Sequence, residues 1–165
     1  MRCLAVFLAV CLTACADAPL ARVEGETVAA NAVVADVVDG DTLSVRIDGQ
    51  TEPVRLIGID TPETVRPNSP VECFGPEASE RTRQLLPPGT RVSLVRDLEA
   101  RDHYGRLLAY VYRASDGLFV NLALVDEGYA TVLTFPPNTT HSRAFVAAAS
   151  SAQRRSLGLW GACAG

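Results

Sequence analysis

Residues 28–59 read VAANAVVADVVDGDTLSVRIDGQTEPVRLIGI, and the pattern of this stretch decides the fold. Val28 to Val38 is rich in Val and Ala and reads as a strand. Asp39-Gly40 follows as a two-residue hairpin signal. From Thr42 to Ile47 the residues alternate. Leu43, Val45 and Ile47 lie on one side, Ser44 and Arg46 on the other, the period of a half-buried return strand. Asp48-Gly49 marks a second turn, and Pro53 to Ile59 is a third strand that closes the meander.

Downstream, Thr61-Pro62 stops the third strand, and a loop rich in Pro, Asn and Ser runs to Gly75. Pro76 to Leu86 reads as a helix, with Pro in the first turn, acids early and arginines late, as the helix dipole favours. Pro87-Pro88-Gly89 breaks it. Arg91 to Val95 and Arg106 to Tyr112 are two more strands. Asn121 to Glu127 is a short helix ending at Gly128, and His141 to Arg155 a longer one ending near Gly158. Strands and helices in this order suit a β-rich α+β domain: a five-stranded Greek-key barrel of the OB type with about three helices packed on it.

Upstream lies a targeting segment. Met1-Arg2 is a minimal positive start, and residues 3–14, CLAVFLAVCLTA, are apolar and uncharged. Such a segment is short of the roughly 20 residues a membrane-spanning helix needs, so it reads as an export signal. Leu12-Thr13-Ala14-Cys15 resembles the lipobox of bacterial lipoproteins, in which the cysteine receives a lipid and becomes the new N-terminus. Ala14-Cys15-Ala16 also fits ordinary signal cleavage after Ala16. Either reading sends the domain out of the cytoplasm: as a lipoprotein anchored through Cys15 on the periplasmic side or cell surface, otherwise as a secreted protein. The expected organisation is a signal peptide at 1–14, a small acidic tether at 15–27 and one domain at 28–165.

The chain has 165 residues, 48% hydrophobic, with 15 basic and 19 acidic side chains. All the basic residues are arginine, which excludes a lysine Schiff base and a P-loop lysine. A net charge of −4 argues against coating DNA through a broad basic surface, but leaves room for a local phosphate grip. Once the signal is removed, Cys73 and Cys163 are the cysteines left for pairing. In an oxidising compartment they are expected to form a disulfide; a two-cysteine zinc site is the weaker alternative, since no histidine lies near either in sequence.

Three segments concentrate the chemistry. Asp39-Gly40-Asp41-Thr42 is by itself a plain hairpin turn. In Val54–Glu63, Asp60 is by itself a turn cap and Glu63 a solvated acid. Arg55 should share a face with Ile57 and Ile59, so it needs an anionic partner. Arg101–Arg106 is by itself a polar hairpin. Together they supply a hard-oxygen cation site (Asp41, Asp60), a base (Glu63) and two anion clamps (Arg55, Arg106), the set that phosphodiester hydrolysis requires.

VVDGDT at 37–42, RLIGIDTPET at 55–64, GPEA at 75–78, DHYGRLLAY at 102–110 and VNLALVDEGYA at 120–130 resemble, in order, the signatures of the staphylococcal nuclease family. The resemblance spans residues 27–160. It implies an OB-fold barrel with three helices, and Ca²⁺ held by Asp41, Asp60 and the Thr61 carbonyl. It also implies that Glu63 orients or deprotonates water, that Arg55 and Arg106 hold the scissile phosphate, and that Tyr104 binds a second phosphate. The chain departs from the family in places. His103 stands where the family has lysine and joins Tyr104 in the substrate-binding set. Arg66, Asn68 and Ser69 replace loop lysines, and Leu133 stands where a tyrosine stacks on the base.

The expected function is therefore a calcium-dependent endonuclease outside the cytoplasm, monomeric, acting on DNA and RNA with little sequence preference. The alternative is a non-catalytic OB-fold module that binds oligonucleotides or other anions. A pure binder gains nothing from clustering Asp41, Asp60 and Glu63 against a polyanion.

Overall fold

The computed structural model describes residues 27–64 and 70–163. Strand β1 (Ala32–Asp39) turns back into β2 (Thr42–Ile47), which turns again into β3 (Gln50–Leu56). Asp39 pairs with Thr42, so the turn residues are Gly40 and Asp41, one place later than the Asp39-Gly40 expected. β1 begins at Ala32 and not Val28. Ahead of it the chain makes scattered bonds, Val28 N–H to the Ala114 carbonyl (3.2 Å) and Asn31 N–H to the Val92 carbonyl (3.0 Å). β5 (Arg91–Val95) pairs antiparallel with β1, and β6 (Leu107–Arg113) antiparallel with β5. β3 runs parallel to β6, which closes a five-stranded barrel in the order β1-β2-β3-β6-β5. This is the Greek-key barrel that the strand order implied. Val34, Leu43, Val45, Val54, Leu56, Val92 and Val111 are fully buried in the core.

The third expected strand, Pro53 to Ile59, is broken. After Leu56 the chain kinks, Gly58 takes φ +82, and β4 (Gly58–Asp60) leaves the barrel to pair with β7 (Thr131–Leu133). Nothing in the sequence pattern marks β7. The kink undoes the expected alternation: Leu56, Ile57 and Ile59 are all buried, whichever face each was assigned. Such a kink must find partners for the backbone groups it frees. Ile57 N–H donates to the Ala109 carbonyl at 3.0 Å. The buried Asn121 donates to the Ile57 carbonyl (3.0 Å) and accepts from Val111 N–H (2.9 Å).

Helices α1 (Gly75–Leu85), α2 (Val120–Asp126) and α3 (Ser142–Arg154) are the three expected, each shifted or trimmed by one residue. A fourth, α4 (Leu159–Ala162), is a single turn, too short to leave a periodic signal. α1 lies against the first hairpin. Its Thr82 hydroxyl, fully buried, donates to the Gly40 carbonyl at 2.6 Å and so pins the turn that carries Asp41.

Candidate nuclease site

The first hairpin carries two acids into the interior. Asp39 and Asp41 are each 6% exposed. Buried carboxylates need donors, and both have them. Asp39 Oδ1 accepts from Gly40 N–H (2.9 Å), the Thr64 hydroxyl (2.7 Å) and the Ser79 hydroxyl on α1 (2.7 Å). Burial pushes the Asp39 carboxyl up, but these bonds outweigh it and hold the group below the ordinary carboxylate value. In sequence Asp39 is a turn residue outside the site. Its one local signal is the repeated acid in Asp39-Gly40-Asp41.

Asp41 sits at the centre. Its Oδ2 accepts from the Thr61 N–H (2.8 Å) and hydroxyl (3.1 Å), and its Oδ1 from the Thr42 hydroxyl (3.1 Å). Register then delivers the first arginine: Arg55 pairs with Thr42 across β2 and β3, next to Asp41. The anionic partner Arg55 was expected to need is in fact two. Arg55 Nη2 lies 3.1 Å from Asp41 and 2.7 Å from Asp60. Its Nη1 donates to the Leu56 (3.1 Å) and Ile59 (2.9 Å) carbonyls, so the guanidinium spans the kink between β3 and β4. Asp60 is fixed in turn by β7, where the Thr131 hydroxyl donates to its carbonyl at 3.2 Å.

The second arginine comes from a tight hairpin. Asp102 Oδ2 accepts from Arg106 Nε (2.7 Å), and its Oδ1 from the backbone N–H of Arg106 (2.9 Å) and Tyr104 (3.0 Å). Burial raises the Asp102 carboxyl, but its bonds to Arg106 prevail and lower it. Tyr104 is 74% exposed, with Arg106 Cζ 5.5 Å from its ring and the His103 ring, tilted by 42°, 3.7 Å from it. Arg55, His103 and Arg106 line one cleft of about 440 Å³, with Leu133 and Phe135 on its apolar side.

Asp41, Arg55, Asp60 and Thr61 are thus in direct contact, and Arg106 and His103 share the Arg55 cleft. Glu63 joins through Thr64, whose N–H donates to Glu63 Oε1 at 3.0 Å and whose hydroxyl donates to Asp39. Among the described residues, no three His, Cys, Asp or Glu side chains gather in a geometry that could hold a metal ion. What convergence there is comes from Asp41 and Asp60 reaching the same guanidinium nitrogen.

A family model described as staphylococcal nuclease homologue matches residues 53–162. The chain belongs to the staphylococcal nuclease family. It is 42% identical over 144 residues to a thermonuclease of Staphylococcus intermedius, covering 87% of this chain and 84% of that protein. It is 40% identical over 124 residues to a thermonuclease of Staphylococcus hyicus, covering 75% and 72%. Against the SPbeta prophage-derived endonuclease YokF of Bacillus subtilis the identity is 42% over 125 residues, 74% of this chain and 41% of that protein. As a nuclease of this family, the chain carries one further covalent link: Cys73 and Cys163 form the expected disulfide. Cys15, Arg66, Asn68 and Ser69 lie outside the described residues.

Proposed function

We propose that this nuclease depends on calcium, works outside the cytoplasm as a monomer, and hydrolyses phosphodiester bonds of DNA and RNA with little sequence preference. The observation that carries the reading is Arg55, which touches both Asp41 and Asp60 while lining one cleft with Arg106. Two carboxylates that reach one cationic nitrogen can also face one cation. Both are hard oxygen donors, as is the Thr61 carbonyl, and that donor set suits calcium. When bound, calcium supplies a Lewis acid that polarises a phosphoryl oxygen.

The protein's own groups do the rest. Arg55 and Arg106 grip the scissile phosphate and offset the charge that grows as water adds to phosphorus. Glu63 orients that water and accepts its proton; one P–O ester bond breaks as the departing oxygen takes a proton from solvent water, to which Glu63 then returns its own. Tyr104, exposed beside Arg106, offers its hydroxyl to a neighbouring phosphate, and His103 flanks it. All these contacts read phosphate, so base sequence enters little. Export follows from the signal at 1–14, with a lipid on Cys15 and the tether at 15–27 holding the domain 28–165 near a membrane.

Three variants test the reading by turnover against calcium concentration. Glu63→Gln should lower turnover by about 10²-fold or more, with a much smaller change in the calcium midpoint. Asp41→Ala should move the calcium midpoint itself. Arg106→Ala should lower turnover with the midpoint in place. Glu63→Gln with near-native turnover would remove Glu63 from the mechanism.

A further inference from the structure

The segment bearing Glu63 is fastened from behind by two reciprocal hydrogen bonds. Glu72 N–H donates to the Glu63 carbonyl at 3.0 Å, and Glu63 N–H donates to Glu72 Oε2 at 3.1 Å. One such bond leaves a peptide free to swing about it; two, on either side of the same residue, set its direction. The next residues along the chain press on the same backbone. Gly75 N–H donates to the Glu72 carbonyl at 3.0 Å. A Cβ on Gly75 would stand 3.1 Å from the carbonyl oxygens of both Pro62 and Glu63, so α1 begins in contact with that segment.

Between Glu72 and Gly75 stand Cys73, joined to Cys163, and Phe74, whose ring lies 5.4 Å from Tyr129. Cys163 caps α4, which hangs from the Gly128 carbonyl through Leu159 N–H at 2.9 Å. The chain's far end therefore reaches the Glu63 backbone through one covalent bond and the residue beside it. Glu72 itself is exposed and is not one of the groups assigned to substrate or cation. Water competes for an exposed hydrogen bond, so its net stabilisation is small. It persists where the partner is kept close by other means, and here the disulfide does that.

We propose that Glu72 is a positioning residue for Glu63, and that the Cys73–Cys163 disulfide holds Glu72 in register. The inference rests on the reading of Glu63 as the group that handles the attacking water. Such a group tolerates little displacement, since about 1 Å can cost up to 10²-fold in rate. The clamp aims Glu63; it is not a main source of stability.

The experiment measures kcat, KM, the calcium midpoint and the exchange rate of the Glu63 amide proton, well below each variant's melting midpoint. Glu72→Ala should lower kcat about five- to tenfold with KM and calcium midpoint nearly unchanged, and should speed exchange at Glu63. Glu72→Gln keeps an acceptor oxygen and should restore both kcat and protection. Cys73→Ser with Cys163→Ser should lower kcat about two- to threefold and add nothing to Glu72→Ala, because both act through the same contact. Unchanged kcat in Glu72→Ala, a Glu72→Gln variant as impaired as Glu72→Ala, or full additivity with the cysteine pair each overturns the proposal. Glu63→Gln is assayed beside them. An inactive Glu63→Gln with a normal Glu72→Ala sinks only this inference, whereas an active Glu63→Gln sinks the reading beneath it.

Discussion

Asp41 is held by Thr61, twenty residues further along the chain, whereas Arg106 is held by Asp102, four residues back. The same contrast runs through both sides of the cleft. Besides the adjacent Gly40 N–H, Asp39 takes donors from 25 and 40 residues away, and the Gly40 carbonyl takes one from 42 away. The Arg106 hairpin binds mainly itself, with Arg101 donating to the Gly105 carbonyl (2.7 Å) and one outside tie to Glu52 (3.0 Å). Contacts between distant segments form only when the whole domain folds. Contacts within a hairpin can open alone. The acid side should therefore fail with the fold, and the arginine side should fail locally, in activity before stability.

The sharpest test uses one chemical change in both places. Gly58 and Gly105 both have positive φ, +82 and +83. At Gly58 an added Cβ would overlap the Phe145 ring, while at Gly105 it meets open space. Gly58→Ala should cost about 3 kcal/mol or more, combining the left-handed penalty with overpacking. Thermal melts would show this as a fall of roughly 6 °C or more for a domain this size. Equal losses at the two glycines would break the comparison.

Next in size is Asp102→Ala. It releases Arg106 without touching the core, so turnover should drop about tenfold, the order of one charged hydrogen bond. The melting midpoint should move much less than in Gly58→Ala. A large melting shift with turnover retained would make the hairpin a structural element. Gly105→Ala comes third: the left-handed penalty, about 1 kcal/mol, falls on the hairpin alone, so turnover should drop up to about fivefold while the melting midpoint barely moves.

The smallest effect is in pH. The bonds from Arg106 hold the Asp102 carboxyl below its ordinary value. A carboxylate whose folded value is depressed contributes stability that is full above its unfolded value, about 3.9, and is lost as pH falls through the folded value. The melting gap between the native chain and Asp102→Ala should thus be constant near neutrality and shrink below about pH 4. A gap that persists undiminished in acid would show that the carboxylate's charge is not what holds Arg106.

Much of this was legible in the sequence because its causes are local. Asp-Gly turns and the alternation of Thr42 to Ile47 announce hairpins wherever they fall, and proline and glycine punctuation marked the helices to within a residue. Arg55 stood out as a charge inside an apolar strand, whereas Asp41, Asp60 and Arg106 read singly as turn or hairpin residues and stood out only when taken together. What the tertiary structure alone decided has distant causes. VRLIGI at 54–59 reads as one strand; the kink exists because Phe145, from α3, fills the space over Gly58 and Asn121, from α2, satisfies the freed carbonyl. β7 is three residues long and is a strand only because β4 needs a partner. Asp39 looks like a turn residue until Thr64 and Ser79 fold onto it. Glu72 looks like one more surface acid until α1 and the disulfide bring it back to Glu63. Periodicity and turn chemistry report what a residue does with its near neighbours; a buried charge or a broken strand is set by groups that only folding brings near.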